Sequence, residues 1–316
     1  MEPAIVTRQL AKKYKSQPEN NYAIKGISLE IPRGQLFGLI GPDGAGKTTT
    51  IRILSSVLAQ TDGDVFVAGI NLKTDPEKAR PNIGYMPQAF SLYPDLNVIE
   101  NLNFFADMND VPISSRKERI QELLDFTRLN DFQKRRSANL SGGMRKKLAL
   151  ACALIHEPQI LLLDEPTTGV DPVSRRELWD MLSQVILEGV TIFVSTPYMD
   201  EAERCHQIGI LYEGEVLTSG SPKELEANLP CRILEVKAKP RKVAREAIRE
   251  TKGILRWRPV GDRLRLSVTN LSQTRKDLDK HLTAKEAEIS ILREAKVTME
   301  DVFIHLVNER RGEHND

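Results

Sequence analysis

Eight residues constrain this chain more than any other feature: Gly41-Pro42-Asp43-Gly44-Ala45-Gly46-Lys47-Thr48, which fits the pattern Gly-x4-Gly-Lys-Ser/Thr. The run follows a compact apolar segment, Leu36-Phe37-Gly38-Leu39-Ile40. It opens a stretch from Thr48 to Leu58 with apolar residues at 51, 54, 57 and 58, a helical stripe. A buried strand, a glycine-rich turn and a helix in that order make a phosphate-binding loop. Glycine lets the backbone wrap closely around a phosphate chain. The N–H groups at the helix start supply fixed positive potential. In this reading Lys47 reaches the β- and γ-phosphates of a nucleotide, the Thr48 hydroxyl ligates Mg²⁺, and Thr49 lies beside them. The competing reading, a glycine-rich turn with a surface lysine, does not explain the strand before and the helix after.

The surrounding pattern alternates. Ile5–Leu10 and Ile24–Ile31 read as short strands around a turn, and Asp64–Gly69 as another strand. Ile99–Phe132 reads as helical and charged, while Ile160–Leu163 is a short, wholly apolar strand and Thr191–Ser195 a further buried strand with an apolar centre. Such strands, separated by helices, predict an α/β fold with a parallel sheet covered on both faces.

Ile160-Leu161-Leu162-Leu163-Asp164-Glu165 ends in two carboxylates. Open α/β sheets place ligands at the C-terminal ends of their strands. Asp164 can hold Mg²⁺ there through water, and Glu165 can face a γ-phosphate and orient or deprotonate the attacking water. Alone, an acidic pair after a strand is a solvated strand end. With the phosphate loop upstream it becomes a candidate metal ligand and a candidate catalytic base.

Leu140-Ser141-Gly142-Gly143-Met144 precedes this strand. Ser141 and the N–H groups of Gly142 and Gly143 would cap a helix running through Leu148, Ala151, Cys152 and Ile155, and so form a second anion site. In the order phosphate loop, Leu-Ser-Gly-Gly, acidic strand end, residues 4–228 resemble ABC-type ATPases, with Met144 where the family's usual form has Gln. The resemblance implies a P-loop ATPase with a parallel core sheet, antiparallel N-terminal strands and a helical subdomain over about 90–155. It implies ATP and Mg²⁺ as ligands. Ser141, Gly142 and Gly143 would meet the γ-phosphate held by another subunit's loop. Gln88, in Tyr85-Met86-Pro87-Gln88, would contact Mg²⁺ and relay to a membrane subunit. Asp171, in Gly169-Val170-Asp171-Pro172, would sit at the dimer seam. Tyr14 would stack on adenine, with Tyr22 as a nearby competitor. A surface glutamine at 88 and a turn-forming Asp-Pro at 171 are the plain structural alternatives. The wording of these motifs is similar to the first nucleotide-binding half of YbhF-type exporter ATPases, in the type-2 ABC exporter class. Val297 to Leu306 resembles the closing helix of drug- and polysaccharide-export members.

One position departs from the family. After the strand ending at Ser195, the family places a switch histidine on the γ-phosphate, and this chain reads Thr196-Pro197-Tyr198-Met199-Asp200-Glu201. Proline has neither a side-chain nitrogen nor a backbone N–H to donate. His206, nine residues on, is a poor substitute. A slow site, or one that binds ATP as a clamp, is therefore expected.

Composition sets the remaining expectations. The 316 residues fit about two domains. The formal net charge is +1, unevenly spread: residues 1–229 carry 25 basic and 30 acidic side chains, and residues 230–316 carry 20 and 14. That shift, beside Ser219-Gly220-Ser221-Pro222 and Leu229-Pro230, places a boundary near 229 and predicts a small C-terminal α/β accessory domain over 229–316. Its basic block, 12 basic against 4 acidic residues from Arg232 to Arg265, reads as a solvated face, an anionic-lipid contact or, least well supported, an RNA contact. The longest apolar run, Leu148 to Ile155, is far short of the 20 or so residues that a span needs. Three scattered cysteines fit a reducing compartment. The expectation is a cytoplasmic subunit, peripheral on the inner face of the cell membrane. Its partners would be separate membrane permease chains and an ABC ATPase dimer partner, identical or a second subunit. Nucleic acid is not an expected partner. Two alternatives stay open: a soluble ABC ATPase acting on ribosomes or RNA, and a nucleotide-gated regulator with little turnover.

Overall fold

The computed structural model describes residues 2–14, 22–89 and 92–312. The chain forms two compact units, Met1–Ser221 and Pro222–Asp316.

The first unit begins with β1 (Ile5–Lys12) and β2 (Ile24–Ile31), paired antiparallel. Then come β3 (Leu36–Ile40), the phosphate loop and α1 (Lys47–Leu54), followed by β4 (Asp62–Val67) and β5 (Ile70–Asn71). The outer sheet has the order β2-β1-β4-β5. After α2 (Pro76–Ala79) and β6 (Ile83–Met86), α3 (Val98–Met108), α4 (Ile113–Thr127) and α5 (Gly142–Leu154) form the helical region. The chain then returns through β7 (Ile160–Asp164), α6 (Pro172–Leu187), β8 (Thr191–Thr196), β9 (Gln207–Tyr212) and β10 (Glu215–Gly220). The core sheet has the order β10-β9-β3-β8-β7-β6 and is parallel throughout except for the β9–β10 hairpin. Every residue of β3, β7 and β8 is buried, as expected of parallel strands covered on both faces. Phe37 and Phe193 stack across neighbouring strands with ring centroids 5.4 Å apart.

The helix after the phosphate loop is shorter than the apolar stripe predicts. It ends at Leu54, because the Ser55 hydroxyl donates to the Arg52 carbonyl at 3.1 Å and Ser56 adopts a left-handed φ of 57°. A serine hydroxyl that competes for a helix carbonyl favours such an end. Val57 is left exposed beyond it. The predicted helical stretch 99–132 is likewise two helices, divided by the left-handed Asp110 and by Pro112.

The second unit comprises α7 (Pro222–Ala227), β11 (Arg232–Lys239), α8 (Arg241–Glu250), β12 (Ile254–Val260), β13 (Arg263–Val268), α9 (Leu271–Ala284), β14 (Glu288–Ala295) and α10 (Met299–Arg311). Its sheet is wholly antiparallel in the order β12-β13-β11-β14. A βαββαβ chain in that order is the ferredoxin-like arrangement. Leu234, Val236, Leu266 and Val268 pack against α8 and α9. The unit starts earlier than the charge shift near 229 predicts, because α7 packs on α10.

Candidate functional site

The core sheet brings the C-terminal ends of β3, β7 and β8 together, and the predicted residues converge there. Close packing fixes the start of the phosphate loop: a Cβ on Gly41 would lie 2.1 Å from the Leu211 carbonyl oxygen. Gly44 and Gly46 adopt φ of 79° and 111°, conformations that glycine alone takes without strain. Space is open around Gly44. Gly41 N–H donates to the Thr196 carbonyl, which ties the loop to β8.

Lys47, only 4% exposed, donates from Nζ to the Gly41 and Pro42 carbonyls at 2.8 and 3.0 Å. The same ammonium lies 3.3 Å from Glu165 Oε1 and 3.9 Å from Asp43 Oδ1. A fixed positive charge is therefore held over the loop's own backbone. Ala45 is buried beneath it and Pro42 half-buried beside it. Thr48 Oγ1 donates to Asp164 Oδ1 at 3.2 Å, and Ser195 Oγ donates to the same oxygen at 2.6 Å. Thr49 Oγ1 and Tyr14 Oη lie 3.2 Å apart, so Tyr14 sits at the first turn of α1. Tyr22 instead lies beneath the Lys13 ammonium.

Glu165 follows β7 with a left-handed φ of 47°, and its N–H donates to Ser195 O and Oγ. A non-glycine residue in that region is strained, and such strain clusters at functional sites. The carboxylate accepts from Gln88 Nε2 at 2.8 Å and from Thr168 Oγ1 at 3.2 Å. Lysine on one side and glutamine on the other hold this candidate base in place.

The residues fit a bound MgATP. Hydroxyl, carboxylate and amide oxygens from Thr48, Asp164 and Gln88 are hard ligands of the kind Mg²⁺ takes. Among the described residues no three His, Cys, Asp or Glu side chains gather as a metal site. One carboxylate with substrate phosphates completing the shell is the usual Mg²⁺ arrangement at nucleotide sites.

Ser141, Gly142 and Gly143 form a second cluster. Ser141 Oγ accepts from Met144 N–H and caps α5. A Cβ on Gly143 would meet Ser174 Oγ at 2.3 Å, and one on Gly142 would lie 3.6 Å from the Gly169 carbonyl oxygen. Asp171 caps α6 by accepting from the Val173 and Ser174 N–H groups. Hydrogen bonds from Ser174 come first in holding its carboxyl below the usual range. The Ser141–Gly143 cluster and Asp171 are thus neighbours, and among the described residues neither is hydrogen-bonded to the phosphate loop.

Pro197 directly follows Thr196, whose carbonyl accepts from the loop, so it stands at the phosphate end of the sheet. His206 is at the opposite end. Its Nδ1 accepts from Leu36 N–H at 3.0 Å, and its own N–H donates to the Leu36 carbonyl, pinning the start of β3.

Sequence reasoning passed over two residues. Glu201, 1% exposed, accepts from Thr167 Oγ1, Arg175 Nε, Trp179 Nε1 and Thr196 Oγ1. It ties the Pro197 segment to the region after Glu165 and to α6. Lys146, 3% exposed on α5, donates to the Gln88 carbonyl at 3.2 Å. Burial lowers its pKa, against the pull of Asp164 and Glu165. Its helical spacing from Gly143 and Leu150 was the available signal.

Residues 24–168 match the family model described as ABC transporter. "Probable multidrug ABC transporter ATP-binding protein YbhF" of Escherichia coli (strain K12) is 47% identical over 203 residues, 64% of this chain and 35% of that protein. The chain thus spans about a third of that relative. "Nod factor export ATP-binding protein I" of Cupriavidus pinatubonensis (strain JMP 134 / LMG 1197) is 36% identical over 236 residues, covering 74% of this chain and 73% of the relative. Among solved structures, a dimeric ATP-binding cassette in a post-hydrolysis state bound to ADP and Pi matches with a TM-score of 0.64 at 28% identity. That match covers 69% of this chain and 98% of the cassette. The cbiO1 protein of Clostridium perfringens, part of an ABC transporter complex, matches with a TM-score of 0.65 at 26% identity, over 79% and 96%.

Proposed function

The chain belongs to the ABC transporter ATP-binding proteins, and on that premise we propose that it binds and hydrolyses MgATP at a dimer interface to drive a separate membrane-spanning exporter partner. The observation that carries this reading is the convergence of Lys47, Thr48, Asp164, Glu165 and Gln88 on one point. Lys47 holds the β- and γ-phosphates, giving up its contact with Glu165 to do so. Thr48, Asp164 and Gln88 hold Mg²⁺, which when bound neutralises charge on the phosphates. Glu165, released from Lys47, orients and deprotonates the attacking water. Tyr14 packs on the adenine. Gly41 to Thr49 cradle the phosphates.

Ser141, Gly142, Gly143 and Asp171 have their role on the partner's nucleotide, in agreement with their position away from this chain's own loop. The partner is an identical chain or a second ATPase. Among the described residues no helix is long and apolar enough to cross a membrane, so the pore in this reading belongs to separate permease chains, on which the subunit sits at the inner membrane face. The name of one relative, Nod factor export ATP-binding protein I, supports export as the direction. Domain limits of 1–228 and 229–316 stay part of the proposal as functional divisions, although α7 folds with the second unit. The basic block of the second unit gives a place for anionic lipid contact.

Pro197 makes the site slow. A preorganised donor to developing charge is worth about 10²–10³ in rate, and proline cannot replace it. Calorimetric titration with MgATP tests the site. Lys47→Ala removes a buried charge and should weaken binding by at least about tenfold, the scale of one charge-assisted contact, with the fold intact. Unchanged affinity refutes the assignment of the phosphate loop.

A further inference from the structure

Lys146 is a buried cation beside the reaction site, and the proposed reaction gives it no part. It lies on α5, five residues after the capping Ser141, and is 3% exposed. Burying an ammonium costs free energy unless polar partners receive it. One that does is the main chain of Gln88: Lys146 Nζ donates to the Gln88 carbonyl at 3.2 Å.

Two features of the packing fix that contact. β6 and β7 run parallel with Met86 opposite Leu163. Gln88 and Glu165 each follow two residues further on, so the register sets them side by side, and Gln88 Nε2 donates to Glu165 Oε2 at 2.8 Å. From the other side α5 rests closely on β6. A Cβ on Gly84 would lie 2.3 Å from the Ala153 carbonyl oxygen, so only glycine lets the helix come so near the strand. Ala153 follows Lys146 by seven residues, about two helical turns, which puts both on the face of α5 toward β6. A continuous line of polar contacts results: Lys146 Nζ to the Gln88 carbonyl, Gln88 Nε2 to Glu165 Oε2, and Glu165 Oε1 to Lys47 Nζ at 3.3 Å.

We infer that Lys146 is a positioning residue: it fixes the Gln88 main chain so that the Gln88 side chain holds Glu165 once Lys47 has turned to the phosphates. This rests on the proposed hydrolysis. In that reaction Glu165 gives up Lys47, and among the described residues Gln88 and Thr168 are the side chains that still donate to its carboxylate. Thr168 belongs to the same segment as Glu165, three residues on. Gln88 comes from another strand, and the contact from α5 anchors it. The same helix carries Ser141, Gly142 and Gly143 at its start. The turn that meets the partner's nucleotide and the contact that steadies the base are thus about 7.5 Å apart along one helix. Lys146 acts through Gln88 and has no step of its own.

The test is single-turnover cleavage by the full chain at saturating MgATP, with nucleotide affinity measured on the same samples. Lys146→Met keeps most of the volume and removes the donor. It should lower the rate about ten- to a hundredfold, the usual cost of losing the partner that orients a metal ligand, while affinity, set by the phosphate loop, is retained. Lys146→Arg keeps a cationic donor and should keep most of the rate. Lys147→Met, on the next residue but paired with Glu177 at 2.6 Å, should leave the rate unchanged. In a Gln88→Ala background Lys146→Met should cost nothing more, because the side chain it steadies is gone. A loss that persists in that background shows that Lys146 acts through its charge or through α5 alone, and overturns the inference. So does an unchanged rate for Lys146→Met, or a loss equalled by Lys146→Arg or by Lys147→Met. Lys146→Gln, one atom short of the carbonyl, should lose as much as Lys146→Met and takes its place in each comparison if that variant does not fold. Glu165→Gln, run alongside, separates the two claims. If it cleaves at the unmutated rate, the proposed hydrolysis fails; if it is slow while Lys146→Met is not, only the role of Lys146 fails.

Discussion

Replacing Glu201 by glutamine should cost the first unit about 3 kcal/mol, a value built from its contacts. The carboxylate is 1% exposed. Oε1 accepts from Thr167 Oγ1 at 2.7 Å, Arg175 Nε at 2.8 Å and Trp179 Nε1 at 3.1 Å, and Oε2 accepts from Thr196 Oγ1. Hydrogen bonds to a charged group are worth about 1.5–3 kcal/mol and neutral ones about 0.5–1.5, so neutralisation weakens each contact. The new amide NH₂ must also face a donor. Thr196 Oγ1 already accepts from Tyr198 N–H at 3.1 Å, so turning its hydroxyl to accept again leaves its own proton without a partner. Arg175 keeps Asp200 at 2.9 Å, which limits the loss. For a unit of this size each kcal/mol moves the melting temperature by about 2–4 °C, so Glu201→Gln should melt about 6–12 °C lower. Asp200→Asn is the internal comparison. Its side chain is 74% exposed, and its loss should stay within about 0.5 kcal/mol. Differential scanning calorimetry reads both. A Glu201→Gln transition within about 2 °C of the unmutated protein, or an equal drop for Asp200→Asn, refutes the claim that this carboxylate organises the segment beside Pro197.

Two further outcomes follow from the geometry. Multiple-turnover ATP hydrolysis by the isolated chain should be weak, and Pro197→His should raise it, because residue 197 directly follows the carbonyl that accepts from Gly41 N–H. A steady-state rate equal to that of histidine-bearing relatives shows that Pro197 is harmless. In the second unit, burial pushes the Asp301 carboxyl up, but Arg265 and Arg258 outweigh it and hold the group below the ordinary range. Its folded-state value is thus lower than its unfolded value, and its stabilisation is present above about pH 4 and lost as pH falls through the folded value. Asp301→Asn should cost about 3 kcal/mol near neutrality, the scale of breaking a buried pair, and should flatten the acid limb of a stability-versus-pH curve. An unchanged acid limb contradicts this.

The parts of the fold and site legible in the sequence are those in which one local pattern has one physical cause. β3, β7 and β8 have apolar centres and are buried at every position because parallel strands are covered on both faces, so Gly41 and Asp164 could be placed at strand ends before any contact was known. Glu201 could not be found in that way. It lies in a short 3-10 turn between Asp200 and Glu203, and only its burial under Trp179 and Arg175 separates it from them. Lys146 is hidden for a similar reason, since its neighbours Arg145 and Lys147 are also cationic and the side chain's approach to Gln88 depends on how α5 meets β6. In the second unit the arginine block read as a solvated face. It is instead divided by strand alternation: Arg258 and Arg265 reach Asp301, 36 or more residues along the chain, and among the described residues Arg256 makes no hydrogen bond or ion pair. The early end of α1 at Leu54 came from a serine hydroxyl, a competition that apolar periodicity does not register.

In the proposed reaction Glu165, released from Lys47, activates water at a MgATP held by the phosphate loop. Single-turnover cleavage of bound [γ-³²P]ATP by the unmutated chain and by Glu165→Gln reads this step, with nucleotide affinity measured on the same samples. The unmutated chain should cleave its bound ATP slowly but completely. Glu165→Gln should bind nucleotide undiminished, cleave it at a rate lower by about 10²–10⁴, the range of a positioned general base, and give a longer-lived ATP-bound dimer. Cleavage by Glu165→Gln at the unmutated rate, with binding intact, contradicts that role for Glu165.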